Sequence, residues 1–243
     1  MADVTTPTQE PTVVSEQTAK AVTLPPWLER LWSDARIRYG AIAVVVIAVA
    51  IGAYGLWRSA QHDREEEASL ALSRVLPYLE AQQYDAALDG DPKKTVRGEP
   101  VQGLRAIADT YGSTAAGRTA ALYAGQIYLD RKQYSEAERY FEQAEASDAV
   151  LVRIGALAGL AACKEQQRQF EEAAALYERI LPDAENIGFK DKYMLFAALC
   201  LEKAGKTDRA VQMYKTLLAE FEFSEYAADA KAGLARLGTV VEY

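Results

Sequence analysis

Hydrophobic and polar positions divide the chain into two regimes. From Tyr39 to Trp57 the sequence reads YGAIAVVVIAVAIGAYGLW, nineteen residues without a charge. A helix rises about 1.5 Å per residue, so this stretch is long enough to cross roughly 30 Å of hydrocarbon. A surface helix of a soluble domain needs a polar side, and none is present here. The pattern predicts a transmembrane helix over 39–57. A cleaved leader would start with basic residues close to the N-terminus. Here 38 residues come first, and they are acidic on balance. Residues 1–25, rich in Thr, Pro and Val, are expected to form a disordered tail. Segment 26–38 reads either as a short interfacial helix, with Leu28, Leu31 and Trp32 after Pro25-Pro26, or as a plain linker. Trp27, Trp32 and Tyr39 on one flank and Tyr54 and Trp57 on the other suit headgroup depth.

Past Trp57 the period changes to that of amphipathic helices. Leu70, Leu72, Val75, Leu76 and Leu79 recur at helical spacing, with Pro77 as a candidate kink. A turn or two of helix follows from Tyr84 to Leu88. Asp89 to Pro100 (DGDPKKTVRGEP) reads as a turn-rich loop. Val101 to Tyr111 reads as a helix with Leu104, Ile107 and Ala108 inward, broken by Gly112-Ser113-Thr114. Residues 58–114 are thus membrane-proximal helices, and 115–243 form a second region.

That second region repeats. ALYAGQIYLDRKQYSEAERYFEQA (Ala121 to Ala144), LAGLAACKEQQRQFEEAAALYERI (Leu157 to Ile180) and MLFAALCLEKAGKTDRAVQMYKTL (Met194 to Leu217) superimpose. Matching alanines are Ala137, Ala173 and Ala210. Aromatics follow four residues later at Phe141, Tyr177 and Tyr214, and small residues stand twelve before, at Gly125, Ala161 and Ala198. The spacing predicts helical hairpins. A small residue on the first helix lets the second approach, and the aromatic fills the gap toward the next hairpin. No hairpin buries both sides alone, so the units must stack. Tyr84 and Ala87 keep the same spacing, so a degenerate earlier unit is expected over Ala71 to Leu88. Tyr226, Ala230, Leu234 and Leu237 form one stripe that would close the stack.

Charge and cysteine content narrow the chemistry. The net charge is −8, and a surface of that sign repels phosphate backbones, so nucleic-acid binding is not expected. The single histidine, His62, and two scattered cysteines, Cys163 and Cys200, give no metal-ligand or triad spacing, and no phosphate loop occurs. The acidic runs Glu65 to Glu67 and Glu171-Glu172 read as solvated helix faces. No enzyme activity and no cofactor are expected. The two cysteines hold equivalent repeat positions about a helix spacing apart, too far for a bridge, so two buried reduced thiols are predicted. Arg30, Arg36 and Arg38 precede the apolar run and Arg58 and Arg64 follow it, a three-to-two bias toward an N-terminus inside the cell.

The repeated segments resemble tetratricopeptide repeats, helix–turn–helix units of about 34 residues. In the first, Gly125, Tyr128, Tyr134, Ala137, Phe141 and Ala144 fall on motif positions. The second has Lys164 in place of Tyr128. The third has Leu201 there, and Thr207 where Tyr134 and Phe170 stand. The full layout is a short tail, one anchor, a long helix, the DGDP segment, then YGSTAAGRTAALYAGQIYL. It resembles bacterial inner-membrane tetratricopeptide proteins related to the ancillary subunit of the SecYEG translocon. The resemblance implies an all-α chain whose single transmembrane helix precedes an α–α superhelix of tetratricopeptide-like hairpins. It implies a cytoplasmic N-terminus, a periplasmic C-terminal domain, and protein partners among translocon, periplasmic-chaperone or envelope-assembly components.

By the same resemblance, the working surface is a concave face made by the first helix of each hairpin. Its expected residues are Leu122, Gln126, Leu129 and Asp130, then Ala158, Ala162, Glu165 and Gln166, then Leu195, Leu199, Glu202 and Lys203. Such a mixture of apolar and polar groups suits a peptide or helix. Leu122 and Gln126 stand where a carboxylate clamp of this family would need Lys and Asn, which disfavours acidic C-terminal tails as ligands. The function expected is a membrane-anchored scaffold for protein–protein interaction. A fixed structural subunit of an inner-membrane complex is the alternative.

Overall fold

A computed structural model of the chain describes residues 35–96 and 98–239. The expected disordered tail, and Trp27, Leu28, Leu31 and Trp32 of the expected interfacial segment, lie outside the described residues. Those described form ten helices and one two-stranded sheet, in two compact units that meet in sequence between Leu56 and Trp57.

Helix α1, Ala35–Glu80, contains the uncharged stretch. Tyr39 to Trp57 is exposed along its whole length. Among the described residues this is the one helix long and apolar enough to span a membrane. The remainder of α1 belongs to the second unit and buries Ala68, Ala71, Val75 and Tyr78 at three- and four-residue spacing. The buried stripe is thus rotated from the leucine pattern: Leu70 faces solvent, and two alanines replace it at the contact. The helix runs through Pro77 to Glu80.

The segment read as a loop is a β-hairpin. Helix α2 (Tyr84–Asp89) leads into β1 (Gly90–Val96), which pairs antiparallel with β2 (Glu99–Gln102), and helix α3 (Leu104–Tyr111) follows. Val101, expected to open a helix, is the buried residue of β2. The fold is therefore helical with one small sheet rather than purely α. The hairpin leaves and returns at one point. Gly90 pairs with Gln102, and a Cβ on Gly90 would stand 2.6 Å from the Gly103 nitrogen. Gly90 also has φ +83°, a conformation costly for a residue with a side chain. Asp89 and Arg105 form an ion pair across the opening. Helices α2 and α3, of six and eight residues, flank the hairpin; α8 (Lys190–Lys203) and α9 (Thr207–Glu220) have fourteen each.

Six further helices pair in sequence: α4 (Ala115–Asp130) with α5 (Tyr134–Glu145), α6 (Val150–Gln166) with α7 (Phe170–Ile187), and α8 (Lys190–Lys203) with α9 (Thr207–Glu220). Each pair packs on the next. Helix α10 (Ala227–Arg236) closes the series, burying Ala230 and Leu234 as the stripe predicted. One turn recurs between the paired helices. Lys132, Arg168 and Gly205 all have φ between +60° and +73°, and each stands five residues before its alanine. The residue after each, Gln133, Gln169 or Lys206, donates its backbone N–H to a carbonyl five residues earlier, at Tyr128, Lys164 or Leu201. Gln82 has φ +55°, and the Gln83 N–H bonds to the Tyr78 carbonyl in the same way. The degenerate unit before residue 90 thus ends its first helix as the others do.

The aromatic residues fill the spaces between units. A Cβ on Gly125 would stand 2.7 Å from the Phe141 ring, and one on Gly159, in the next pair, 2.6 Å from its far side. Phe141 is fully buried between two helices that approach because both contacts are glycine. Tyr214 meets Gly233 of α10 in the same manner. Tyr177 instead meets Phe196, edge-on at 5.5 Å between centroids. So the small residue of the first helix faces the aromatic directly, and the aromatic reaches the following unit.

Candidate functional site

The expected surface lies on α4, α6 and α8, whose order is set by the packing just described. Leu122 packs against Gly155: a Cβ there would lie 3.2 Å from a Leu122 methyl, so α4 and α6 are neighbours. Lys203 donates to Glu165 at 3.1 Å, which joins the C-terminal ends of α6 and α8. Arg236 of α10 pairs with Glu202 of α8 at 2.7 Å in the corresponding place.

The structure separates the expected residues into three groups. Gln126, Asp130, Gln166 and Lys203 are exposed, and Gln126 donates its amide to Asp130 at 2.9 Å. Leu122, Leu129, Ala158, Ala162, Glu165, Leu199 and Glu202 are half-buried. Leu195 is not on the surface. It is buried in the second core cluster, in the consecutive run Tyr193–Met194–Leu195. The first turns of α8 are enclosed on several sides. The long α7 contributes Ala184 and Ile187 to the same cluster, and the segment leading to α10 is tied to Asp191 by Ser224.

Two of the expected polar residues have structural partners that the sequence reading did not foresee. Glu165 accepts the Tyr177 hydroxyl at 2.9 Å, and Glu202 accepts that of Tyr214 at 2.7 Å. Glutamate and tyrosine hold matching positions in the two units. The first unit has Leu129 and Phe141 there, so the pair is apolar at both ends or polar at both. The rule is one of satisfaction: a buried hydroxyl requires an acceptor, and a phenyl ring does not. Burial, followed by the neighbouring carboxylate, raises the pKa of Tyr177 and Tyr214 well above the usual phenol range. The hydrogen bond from Arg236, opposed by burial and aided by Tyr214, lowers that of Glu202. The residues available to a ligand are therefore Gln126, Asp130, Gln166 and Lys203, with a half-buried floor of Leu122, Ala158, Ala162 and Leu199.

The opposite helices carry a ladder of ion pairs. Arg139 of α5 binds Asp109 of α3, Arg179 of α7 binds Glu145 of α5, and Arg209 of α9 binds Glu178 of α7. Pairs this exposed contribute at most about 1 kcal/mol each, so they fix register more than stability. Cys163 and Cys200 are buried free thiols in different core clusters. Burial pushes their pKa up to about 11 and about 12. No group of three or more His, Cys, Asp or Glu stands in metal-binding arrangement among the described residues. No protein-family description matches the sequence, and no curated protein does.

Proposed function

We propose that the chain is a single-pass protein of a bacterial inner membrane whose C-terminal domain is a tetratricopeptide-like scaffold for other polypeptides. Its N-terminus is cytoplasmic, the helical domain is periplasmic, and the partners belong to protein translocation or envelope assembly. The repeated turn carries the reading. Four connections share a left-handed residue, the same backbone hydrogen bond and the same distance to an alanine. A helical domain built by serial repetition keeps one helix of each unit on a common face, where extended or helical ligands are held by side chains from several units.

Affinity purification of the tagged full chain from solubilised bacterial membranes tests this. A changing set of co-purified proteins that includes translocating chains supports the scaffold. One partner at fixed stoichiometry, unaffected by Gln126→Ala and Gln166→Ala, supports a structural subunit instead. A reporter fused to the C-terminus tests the topology, and cytoplasmic activity of that reporter refutes the periplasmic assignment.

A further inference from the structure

If the apolar helix is the membrane anchor of the proposed function, the turns that join each pair of helices to the next acquire a position relative to the point where the chain leaves the bilayer. Trp57 is the last residue of the apolar stretch, so chain connectivity alone holds it at the bilayer surface. Eight residues on, about 12 Å along the helix, Glu65 meets the start of α4. Its two oxygens accept the Ala115 and Ala116 N–H groups at 2.6 and 3.0 Å. At the other end of α4, Arg131 binds Asp85 of α2, just past the end of α1. Helix α4 therefore runs alongside the part of α1 that belongs to the second unit, in the same direction, and its N-terminus is on the side of Trp57.

The other first helices share that direction. Their C-terminal ends are joined by Lys203–Glu165 and Arg236–Glu202. Their N-terminal ends are joined too. Arg153 binds both the Ser147 carbonyl and Asp183, and Lys190 binds Glu185 and Glu220. Ser224 donates to Asp191. The turns α5–α6, α7–α8 and α9–α10 thus form one edge. Trp57 lines a cavity of about 500 Å³ together with Asp148 and Ala149 of the first of these turns.

That edge collects the exposed large apolar side chains. Past Trp57, six such residues are exposed among those described. Leu70, Tyr84 and Tyr123 are the least exposed of them, at 37–38 %. The three most exposed are Leu151 at 66 %, Phe189 at 49 % and Phe223 at 95 %, and all three stand on this edge. Three turns at the opposite end read Arg131-Lys132-Gln133, Gln167-Arg168-Gln169 and Gly205-Lys206, with no large apolar residue, and the fourth, Gln82-Gln83, is followed by Tyr84, less exposed than any of the three on the rim. A single exposed apolar side chain is ordinary on any surface; it is the placing of the three most exposed ones on one rim that sets this edge apart.

We infer that the rim bearing Leu151, Phe189 and Phe223 is a second membrane contact, in which these side chains enter the interface of the bilayer that holds the anchor. The continuity with Trp57 favours lipid over a protein occupant. On the rim Asp148, Asp183, Glu185, Asp191, Glu220, Glu222 and Glu225 outnumber Arg118, Arg153, Lys190 and Lys192, so the lipid surface it fits is zwitterionic, since anionic headgroups repel the excess negative charge.

The test is nitroxide labelling of the full chain in phosphatidylcholine nanodiscs. Phe223→Cys, Phe189→Cys and Leu151→Cys are labelled one at a time, with Lys132→Cys on the opposite turns as reference; the native thiols are buried. Collision with oxygen, enriched in lipid, is compared with collision with a water-soluble nickel chelate. Greater collision with oxygen at 151, 189 and 223, reversed at 132 and reduced when phosphatidylglycerol is added, is the expected result. Labels at those positions that collide mainly with the chelate, in protein that resists alkaline extraction, overturn the rim contact and leave the anchor standing. Labels shielded from both probes indicate a protein occupant and also overturn it. Release of the protein by alkaline extraction overturns the anchor and the rim together.

Discussion

Gly155 and Gly159 lie one turn apart on α6, and replacing each by alanine separates helix propensity from inter-unit packing. In a helix interior alanine is favoured over glycine by about 1 kcal/mol. At position 155 the new methyl meets only the branched tip of half-buried Leu122, at 3.2–3.3 Å, a contact relieved by a small rotation. The expected outcome for Gly155→Ala is no loss of stability, or a gain of up to about 1 kcal/mol. At position 159 the methyl would stand 2.6 Å or less from three atoms of the Phe141 ring. The ring cannot retreat, because on its other face it lies so close to Gly125 that a Cβ there would stand 2.7–2.8 Å away, and the side chain is fully buried. Overpacking of this kind costs about 1–3 kcal/mol, which outweighs the propensity gain. Gly159→Ala should therefore unfold below Gly155→Ala by about 1–3 kcal/mol, or several degrees of Tm in a domain this size. Thermal and urea unfolding of the full chain in detergent, followed by far-ultraviolet circular dichroism, reads the difference. Equal stability of the two variants refutes the claim that Phe141 is clamped between adjacent units.

Glu65→Ala should leave the first two N–H groups of α4 without their acceptor, Thr114 still capping Gly117, at a cost of about 1–2 kcal/mol, read as a lower Tm and as faster hydrogen exchange at Ala115 and Ala116; unchanged exchange there refutes the clasp. Phe141→Tyr should lose about 1–3 kcal/mol, because a hydroxyl is buried opposite Leu129, and Leu129→Glu should restore much of it by recreating the pair seen at Glu165 and Tyr177. A double-mutant cycle with no coupling between 129 and 141 would be fatal to that rule. Glu202 and Asp183 have pKa values lowered by Arg236 and Arg153 respectively. Each contributes stability above its unfolded pKa that is lost as pH falls through the lower folded value, so unfolding free energy should decline below about pH 4.5. Glu202→Gln should flatten that decline, and an unaltered pH profile argues against the contribution.

Much of the helical architecture was written in local spacing. Ala137, Ala173 and Ala210, with aromatics four residues on, located three helix pairs, because residues one turn apart share a face whatever surrounds them. The uncharged run to Trp57 was equally plain. The hairpin was not: Pro92 and three glycines (Gly90, Gly98, Gly103) between Asp89 and Leu104 are ordinary loop signals. Strand pairing there depends on the chain returning to its own point of departure, which no local pattern records. Leu195 was misplaced for a related reason. Its position on α8 matches Leu122 and Ala158, but the ends of α7 and α9 and the lead into α10 enclose it. The roles of Glu165 and Glu202 were hidden because a glutamate that accepts a buried phenol looks like any surface carboxylate in sequence. The signal was present in the pairing of Tyr with Glu and Phe with Leu twelve residues apart.

The shared doorway of Gly90 and Gly103 has a consequence for how this chain tolerates change. Because the polypeptide re-enters where it left, the excursion between them imposes no span on its surroundings. Material beyond the buried Val101 can be lengthened or exchanged without asking the neighbouring helices to move. That makes the outer part of the excursion, residues 92–99, a natural port for a reporter or a grafted epitope.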